Sequence, residues 1–501
     1  MCVLRGILYL RMSGSPYISK SKFLWGLQCQ KLLWYAYNNK ALIPAPDAAT
    51  QAIFEQGHDV GGLAKQMFPD GIEVGKGILD LKETIRLTKE AIKRRKPMFE
   101  SAFSTNGGYC RTDILRPAPQ NAWDLIEVKS TTSLKDVHLD DLAFQTWVLT
   151  GAGLKIRKCY LMHINSDFVR QGTIDPKKFF TLEDVTNQVA KPSQLVADQL
   201  DDMFKVIHQN KHPDIKIGPQ CNDPYSCPMI GHCWKFLPSH NVFDLYRGGK
   251  KGFELLEQDV TALRDIPDDF KLTDNQEIQK QAANSGKPYI NKKAIANFLD
   301  RLEYPVNYLD FETFNPAVPL FDGLRPFQQV PFQFSLHIVR KPGAKAEHIE
   351  FLAEGKQDPR PEFMSKLRQS VTSSGSIVAF NAGFELSRIK ECCAAIPKYG
   401  PWVKLVEDRV VDLLGPFRSF DYYHPDQHGS ASMKAVLPSL TGNGYEELGI
   451  QEGGTASNEF LRVTFGDVSA KERQQVRQQL QEYCGRDTEG MIWIVEELGR
   501  I

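Results

Sequence analysis

The spacing of the cysteines constrains this chain more than any other feature of its sequence. Three of the ten cysteines, Cys221, Cys227 and Cys233, lie in one short segment that also holds Pro224 and Pro228. Prolines at these positions favour the turns that a ligand loop needs. In a chain of 501 residues that opens without a secretion signal, clustered cysteines indicate metal ligands rather than a disulfide framework.

The charge balance excludes a protein that is held on nucleic acid or anionic lipid by its net charge. Lys plus Arg and Asp plus Glu each total 61, so the formal net charge is zero, although local basic faces stay open. No apolar run is long enough to span a bilayer. Residues 1–11 are interrupted by Arg5 and are too short for a signal peptide. We therefore expect a cytoplasmic protein with no membrane partner.

Secondary-structure patterns divide the chain into two folded halves. The first half follows the order helix, three strands and helix, at residues 20–37, 99–105, 107–117, 123–131 and 139–149. The glycine-rich residues 247–252 predict a flexible joint, and strand–helix alternation resumes at Tyr304. We predict an α/β protein with a first domain over 13–245, a helical connector over 246–302 and a second domain over 303–501.

A period of two places ionisable side chains on one strand face of the first domain. In the segment WDLIEVKST, Glu127 and Lys129 point to the same side, and Asp113 stands beside Glu127 if the neighbouring strands pair. Carboxylates bind Mg²⁺ or Mn²⁺, the ion polarises a phosphate, and a lysine orients or activates water. Metal-assisted phosphodiester hydrolysis is one interpretation, and an edge strand with a solvated Glu/Lys pair is the other.

The order Asp113, then Glu127 and Lys129 two residues apart, then Gln145 in a following helix, resembles the core of the PD-(D/E)xK nucleases. The resemblance implies a nuclease fold in which these four residues are catalytic and the two acids hold Mg²⁺ or Mn²⁺. The RecB-like branch of that superfamily has a metal-binding histidine upstream of the core, a role that the resemblance gives to His58. An ordinary helix-surface histidine is the alternative.

Cys29 lies before this core, and three further cysteines lie after it. This arrangement resembles the iron–sulfur RecB-family nucleases, including CRISPR-associated enzymes, in which a [4Fe–4S] cluster joins the two ends of the nuclease domain. Four thiolates are the usual ligand set of such a cluster. The resemblance therefore implies a cluster on Cys29, Cys221, Cys227 and Cys233. A zinc site with four thiolate ligands and cysteines without a ligand are the alternatives.

A second set of carboxylates is predicted in the second domain. In the segment VNYLDFETF, Asp310 and Glu312 share one strand face. Near the C-terminus, Asp487 follows Tyr483 by four residues within a helical apolar stripe. A lone buried carboxylate is costly, so Asp487 needs a cation or a hydrogen-bond partner. A metal site is one interpretation, and a buried salt bridge or a helix-cap contact is the other.

These segments resemble the DnaQ-like 3′–5′ exonucleases of the DEDDy type, which have a DxE strand, a middle acid and a closing YxxxD helix. Asp310 and Glu312 match the first motif, Tyr483 and Asp487 match the last, and Glu385 stands where the family has aspartate. The resemblance implies an RNase H-like mixed sheet with flanking helices, acids that hold two Mg²⁺ or Mn²⁺ ions, and a tyrosine that positions the attacking water. The complete layout resembles a bacterial family whose C-terminal half is catalogued as a domain of unknown function.

Other polar positions in this half are interpreted differently. Asp412, in RVVDLL, matches a structural position of the DnaQ-like fold better than a catalytic one. His424 and His428 are spaced like a zinc-binding pair on a helix, but Pro425 and Gly429 favour a loop. We therefore favour contact of this loop with substrate over a zinc site.

Together the resemblances imply a metal-dependent nuclease that acts on DNA, either single-stranded or at duplex ends. Two hydrolytic sites on one chain suit end processing in DNA repair, or defence against foreign DNA. Glu385 in place of aspartate favours a second hypothesis, a nucleic-acid-binding scaffold in which one or both sites are inactive. An RNA exonuclease is the third, because DnaQ-like folds act on both polymers. The sequence does not specify protein partners.

Overall fold

The computed structural model describes residues 17–75, 77 and 80–501 of a mixed α/β protein with several sheets and many helices. These residues form two compact units, one within 17–46 and 53–234 and the other within 47–52 and 235–501. The stretch predicted to form a separate connector lies within the second unit. Residues 1–11, which we interpreted as too short for a signal peptide, and positions 13–16 of the predicted first domain lie outside the described residues.

The first unit is built on one seven-stranded mixed sheet. Its strands are β1 (Ile18–Ser19), β2 (Ile72–Glu73), β3 (Met98–Thr105), β4 (Gly108–Pro117), β5 (Trp123–Lys129), β6 (Ile156–Ile164) and β7 (Phe180–Asp184). Along the sheet the order is β2-β3-β4-β5-β6-β7, and β1 pairs with β4 off this path. β3, β4 and β5 are antiparallel neighbours, so the three predicted strands are confirmed.

Eight helices accompany this sheet in the described part of the chain. They are α1 (Lys20–Gln28), α2 (Gln30–Asn38), α3 (Ala48–Lys65), α4 (Leu81–Ala91), α5 (Asp136–Gly151), α6 (Pro176–Phe179), α7 (Thr186–Ile207) and α8 (Ile230–Cys233). The single helix predicted over residues 20–37 is wrong. It breaks at Cys29, whose extended backbone (φ −161°, ψ 112°) ends α1 and begins α2. The break moves the Cys29 thiol out of a regular helical position.

The core of the first unit fixes α5 against the sheet. Trp123 and Leu125 of β5, Leu161 of β6 and Phe144 of α5 are buried in one apolar cluster. Burial of apolar surface is the main favourable contribution to folding. Because Phe144 is held in this cluster, the adjacent Gln145 is buried and has a fixed position relative to β5.

The second unit contains a five-stranded mixed sheet and a separate two-stranded one. The strands are β8 (Tyr289–Ile290), β9 (Val306–Phe314), β10 (Val330–Val339), β11 (Glu347–Leu352), β12 (Ile377–Ala379), β13 (Val410–Asp412) and β14 (Tyr422–Tyr423). The large sheet has the order β11-β10-β9-β12-β13, and β8 pairs with β14. β9 is central, antiparallel to β10 and parallel to β12.

Helices flank the large sheet of the second unit. In the described residues they are α9 (Lys251–Glu257), α10 (Asp274–Ser285), α11 (Lys292–Leu299), α12 (Arg360–Ser370), α13 (Gly383–Ala395), α14 (Gly400–Glu407), α15 (Gly415–Arg418), α16 (Met433–Thr441), α17 (Gly453–Phe465) and α18 (Ala470–Arg500). Short 3-10 turns separate several of them, at Val242–Asp244 and Pro425–Gln427 among others. Within the described ranges, the helices lack the combination of length and apolarity that crossing a bilayer requires.

The long helix α18 buries the stripe that its sequence predicts. Leu480, Met491 and Ile494 are fully buried in the core that β9 and β10 share. Tyr483 and Asp487 lie on the same buried face. The helix therefore carries these two polar side chains into the interior of the second unit.

Candidate active sites

Carboxylates and a lysine meet where β4 and β5 pair in the first unit. The Val128 N–H donates to Asp113 Oδ2 at 2.8 Å, which holds the Asp113 carboxylate beside β5. Lys129 Nζ donates to Glu127 Oε1 and to Asp141 Oδ2, both at 2.7 Å. We call Asp113, Glu127, Lys129, Asp141 and Gln145 the first acidic site. It brings together every catalytic residue predicted for the first half.

Two members of this neighbourhood were not predicted. Asp141 lies four residues before Gln145 on the buried face of α5, a spacing that gives a usable signal. Gln145 Nε2 donates to Asp141 Oδ1 at 2.9 Å and to Glu127 Oε2 at 2.7 Å. Lys20 Nζ lies 2.8 Å from Glu127 Oε1 and 3.7 Å from Asp141 Oδ1. Nothing in the local sequence around Lys20 indicates this contact.

The two ammonium groups set the electrostatics of the first acidic site. Burial opposes the charge of Glu127, but the ammonium groups of Lys129 and Lys20 outweigh burial and hold the pKa of Glu127 well below its usual value. Burial and the neighbouring Glu127 charge raise the pKa of Asp113 to about 7. The pKa values of Glu127 and Asp113 are therefore shifted in opposite directions.

His58 and Asp113 line the same cavity. The cavity has a volume of about 290 Å³, and its wall includes His58, Lys65, Glu100 and Asp113. Three glycines of α3 leave this wall open, since a Cβ at any of them would meet no atom within 4 Å: Gly57, Gly61 and Gly62. In the described ranges, His58 and the two acids do not gather their ligand atoms within 4.8 Å of one another. The structure thus puts His58 on the wall of this cavity, without bringing its ring nitrogens together with both acids.

The four cysteines predicted as ligands line one cavity in the first unit. Cys29 comes from the break between α1 and α2, and Cys221, Cys227 and Cys233 come from the segment that ends in α8. All four are free thiols, and Cys29, Cys227 and Cys233 pack with Tyr35 in an apolar cluster. Burial raises the pKa of Cys227 to about 11, and the other three thiols add to the rise. Among the described residues, no three of these sulfur atoms lie within 4.8 Å of one another. The four thiols supply the ligand type that zinc and iron–sulfur clusters use.

The second unit gathers carboxylates from β9 and α18. Asp310, Glu312 and Asp487 each offer an oxygen, and these oxygens all lie within 4.8 Å of one another. Asp310 and Glu312 extend from the central strand, and Asp487 extends from the buried face of α18. The charge of Glu385 raises the pKa of Asp310, and the charges of the three acids raise the pKa of Tyr483. We call these five residues the second acidic site. It contains every catalytic residue predicted for this half.

Burial and mutual repulsion shape the ionisation of this second site. Burial, followed by the charges of Asp487 and Glu312, raises the pKa of Asp310 well above its usual value. Burial and Asp487 likewise raise the pKa of Glu312, while Lys434 opposes the rise. Burial raises the pKa of Asp487 to about 6 and that of Glu385 to about 8. Like charges that are buried together favour protonation or the binding of a cation.

Two neighbours of the acids were not predicted from the sequence. Tyr445 donates its hydroxyl to Asp487 Oδ1 at 2.5 Å. Cys484 Sγ lies 3.7 Å from Asp310 Oδ2. Tyr445 belongs to an irregular segment between α16 and α17, where no periodicity points to a buried contact with α18. The hydrogen bond from Tyr445 is the partner that the sequence analysis required for Asp487.

The donor set of the second acidic site fits a hard divalent cation. It offers only carboxylate and hydroxyl oxygens, which Mg²⁺ and Mn²⁺ prefer. Glu385 Oε2 is buried and has no hydrogen-bond partner within the described part of the chain. An unpartnered buried carboxylate oxygen is costly unless a cation binds it. The residues therefore suit such an ion.

The remaining predicted positions have structural contacts. Asp412 Oδ1 accepts hydrogen bonds from the backbone N–H groups of Asn381, Ala382 and Leu414, so its carboxylate orders the chain before α13. His424 lies before a 3-10 turn, and its Nδ1 accepts the Asp426 N–H at 3.2 Å. The loop predicted for this segment is confirmed.

A family model matches part of the C-terminal half of the chain. Residues 307–432 match a family model described as a domain of unknown function, DUF2779. This confirms the domain of unknown function that the sequence layout predicts for the C-terminal half. The match includes Asp310, Glu312 and Glu385 and ends before α18, which carries Tyr483 and Asp487.

Two curated relatives come from Mycoplasma. "Uncharacterized protein MG366" of Mycoplasma genitalium is 28% identical over 234 residues, which cover 43% of this chain and 35% of that protein. "Uncharacterized protein MG366 homolog" of Mycoplasma pneumoniae is 26% identical over 206 residues, which cover 37% of this chain and 31% of that protein. The chain therefore spans about a third of the length of the curated relatives it matches.

Among solved structures, one described as "Crystal structure of SSO0001" aligns with 46% of this chain and 90% of its own. The two are 15% identical, and the TM-score is 0.23. A score this low carries no argument about the fold, so the functional proposal rests on the residues themselves.

Proposed function

We propose that this protein is a metal-dependent nuclease that hydrolyses phosphodiester bonds of DNA at two sites. The convergence of Asp310, Glu312 and Asp487 within 4.8 Å, with Glu312 and Asp487 buried and the pKa values of all three raised, is the observation that carries the proposal. A site of this composition binds divalent cations, and divalent cations promote phosphoryl chemistry. The mixed sheet with flanking helices supports assignment of this half to the DnaQ-like fold.

The first acidic site supports the second activity. Asp113, Glu127, Lys129 and Gln145 converge by hydrogen bonds of 2.7–2.8 Å beside an open cavity. This constellation supports assignment of the first unit to the PD-(D/E)xK nucleases, with His58 at the cavity as a further ligand. A strand edge with a solvated Glu/Lys pair does not fit, since Glu127 is 1% exposed.

The residues of the second acidic site have separate tasks in this proposal. Asp310, Glu312, Asp487 and Glu385 hold the cations, which supply the positive charge that polarises the scissile phosphate. Burial, together with the charge of Asp487, keeps the pKa of Tyr483 far above its usual value, so its hydroxyl stays protonated and orients water by hydrogen bonding. Burial of the acids excludes bulk water and strengthens their interaction with a bound charge.

At the first acidic site, the chain's own residues orient the carboxylates. Gln145 fixes Glu127 Oε2, and the Val128 N–H fixes Asp113 Oδ2. Lys129 Nζ is shared between Glu127 and Asp141, which places a positive charge where a phosphate would approach. Asp113 and Glu127 offer carboxylate oxygens, so the first acidic site also suits Mg²⁺ or Mn²⁺.

We propose that Cys29, Cys221, Cys227 and Cys233 hold a [4Fe–4S] cluster. Their clustering around one cavity, from segments at both ends of the first unit, supports a role as a covalent staple. Iron and sulfide analysis of anaerobically purified protein tests this, with about four irons per chain expected for a cubane cluster. One zinc per chain and no iron would replace the cluster with a tetrathiolate zinc site.

The nuclease proposal is tested by cleavage of end-labelled single-stranded DNA, duplex DNA and RNA with Mg²⁺ or Mn²⁺. Wild type is compared with Asp310→Asn, Lys129→Met and the double variant. Each single substitution should lower one set of products by at least about 100-fold, equivalent to about 2.7 kcal/mol of transition-state stabilisation. The double variant should lose both sets.

Matched controls are available in each unit. Asp467→Asn removes an exposed carboxylate of the second unit, and Lys158→Met removes the lysine of a surface pair in the first. Both should cleave like wild type. A double variant that cleaves normally would overturn the assignment of both sites. Tight DNA binding by wild type without cleavage at any Mg²⁺ or Mn²⁺ level would favour a nucleic-acid-binding scaffold with inactive sites. Glu385 in place of aspartate is the residue that supports this hypothesis.

The substrate and compartment belong to the same proposal. We place the protein in the cytoplasm, acting on single-stranded DNA or duplex ends in repair or in defence against foreign DNA. Selective cleavage of RNA in the three-substrate comparison would instead assign the second acidic site to an RNA exonuclease, since the 2′-OH is what distinguishes the two polymers.

A further inference from the structure

Two histidines and an aspartate converge at a point that the nuclease proposal does not use. His240, Asp244 and His428 each offer one ligand atom, and these atoms all lie within 4.8 Å of one another. The rings of His240 and His428 stack with their centroids 4.9 Å apart and their planes 16° from parallel. His428 Nδ1 lies 3.1 Å from Asp244 Oδ2. We propose that this histidine site binds a transition-metal ion such as Zn²⁺.

The backbone around Asp244 is held by several independent contacts. The Asn241 N–H donates to Asp244 Oδ2 at 3.1 Å, which orients the carboxylate. Gln279 Nε2 donates to the Asp244 carbonyl oxygen at 2.9 Å. The Leu263 N–H donates to the His240 carbonyl oxygen at 3.0 Å. Two of the three ligands therefore come from a segment that is held by hydrogen bonds from the protein itself.

The loop that carries the third ligand is fitted closely to the same segment. Gly429 has φ +72°, and a Cβ there would overlap the Asp244 carbonyl oxygen, so only glycine allows the approach. The Gly429 N–H donates to the Tyr423 hydroxyl at 3.2 Å, and Gln279 Nε2 donates to that hydroxyl at 3.2 Å as well. This closeness brings the neighbouring His428 ring over His240.

The donor set selects the class of ion. Two imidazoles and one carboxylate suit Zn²⁺ and its transition-metal neighbours, whereas Mg²⁺ prefers oxygen ligands alone. Zinc–ligand bonds of about 2.0–2.1 Å put tetrahedral ligand atoms about 3.4 Å apart, close to the present Nδ1–Oδ2 distance. The His428 side chain is 43% exposed, so its ring has room to adjust and the ion has a path of entry.

The consequence is a link between distant parts of the second unit. His428 lies 184 residues after Asp244, so one ion would join the start of this unit to the loop that follows β14. An ion with three protein ligands also keeps one position for water or a substrate group. The histidine site shares no ligand with the second acidic site. Its zinc content can therefore be measured whether or not the protein is a nuclease.

The test is zinc analysis of the full chain after loading with Zn²⁺ and dialysis. His428→Gln and His240→Gln should each contain one zinc per chain fewer than wild type. His424→Asn is the matched control, because Asn keeps an acceptor for the Asp426 N–H, and it should match wild type. The cysteines are unchanged in all four proteins, so their metal content cancels in the comparison.

Thermal melting gives an independent readout on the same proteins. Zn²⁺ should raise the melting temperature of wild type and His424→Asn by several degrees more than that of either glutamine variant, because an ion that binds only the folded state stabilises it. Mg²⁺ should not distinguish the four. Equal zinc content and equal zinc stabilisation in wild type and both glutamine variants would overturn the proposal. Because His240 and His428 lie on separate segments, misfolding of one variant leaves the other as a test.

Discussion

The two acidic sites gather similar carboxylates but balance their charge differently. In the first, Lys20 and Lys129 lie within 2.7–2.8 Å of Glu127, and their charges hold its pKa low. In the second, burial and mutual repulsion raise the pKa of Asp310. The charge of Lys434 partly opposes the same rise in the pKa of Glu312. The first site is therefore organised by the chain's own cations, whereas the second depends on protons or on a bound ion.

Because of this difference, we expect different interactions to keep each site folded in the absence of metal. Removing a lysine from the first site leaves buried carboxylates without a counter-ion, which is strongly destabilising. Removing a carboxylate from the second site takes away a source of repulsion. The stability of the two sites should therefore respond in opposite directions to the loss of one charged residue.

The largest effect is expected from Lys129→Met. Glu127 and Asp141 would lose the ammonium group that each contacts at 2.7 Å. Breaking a buried ion pair costs about 3–5 kcal/mol, and we expect about 3 kcal/mol because Lys20 remains. Urea unfolding measures the change. Lys158→Met, which breaks the exposed pair with Asp184, should cost less than about 1 kcal/mol. Equal losses in the two variants would contradict the comparison.

The next effect is stabilisation by the ion itself. Mn²⁺ at about 100 times its dissociation constant should stabilise wild type by about 2.7 kcal/mol. Asp487→Asn should lose most of this gain, because that carboxylate belongs to the cluster with raised pKa values. Asp113→Asn should lose less, since at the first site an ion must compete with two ammonium groups. Melting temperatures with and without Mn²⁺ provide the measurement, and a larger loss in Asp113→Asn would reverse the comparison.

A smaller effect concerns pH. Burial raises the pKa of Glu385 from 4.5 to about 8, so between these values the folded state binds more protons than the unfolded state. The stability of metal-free protein should therefore fall as pH rises through this window, by up to about 1.4 kcal/mol per pH unit for one group.

Urea unfolding in a chelator between pH 5 and 8 tests this expectation. Glu385→Gln should make the fall with pH less steep and leave the part contributed by Asp113 and Asp487, whose pKa values are raised to about 7 and about 6. Glu482→Gln, at an exposed position of α18, should leave the fall unchanged. A pH dependence that is identical in wild type and Glu385→Gln would show that Glu385 is not the group responsible.

The smallest effect is expected from Asp310→Asn without metal. Loss of one buried carboxylate should relieve repulsion with Asp487 and Glu312 and stabilise the protein by about 1 kcal/mol at pH 8. The same variant should be inactive at the second site. A destabilisation of several kcal/mol would instead mean that Asp310 makes a favourable contact on which the fold depends.

Local spacing predicted much of both sites. The period of two places Glu127 and Lys129 on one face of β5, and Asp310 and Glu312 on one face of β9. The helical period places Tyr483 and Asp487 on one face of α18. These patterns also predicted the strands and the buried face of α18. Periodicity was sufficient because each pair lies on one regular element.

Contacts between distant segments could not be predicted in this way. Lys20 lies 107 residues before Glu127, and Tyr445 lies 42 residues before Asp487. Both contacts arise because separate elements pack on one core, a tertiary effect that no local pattern encodes. The break at Cys29 was missed for a similar reason, since the helical pattern of apolar residues continues across it.

The most direct test of the central claim is anomalous X-ray scattering from crystals equilibrated with Mn²⁺. We expect manganese within about 2.0–2.6 Å of carboxylate oxygens of Asp310, Glu312 and Asp487. Saturating Mn²⁺ with no anomalous peak among these residues, and with Asp487 still bound only by Tyr445, would contradict it.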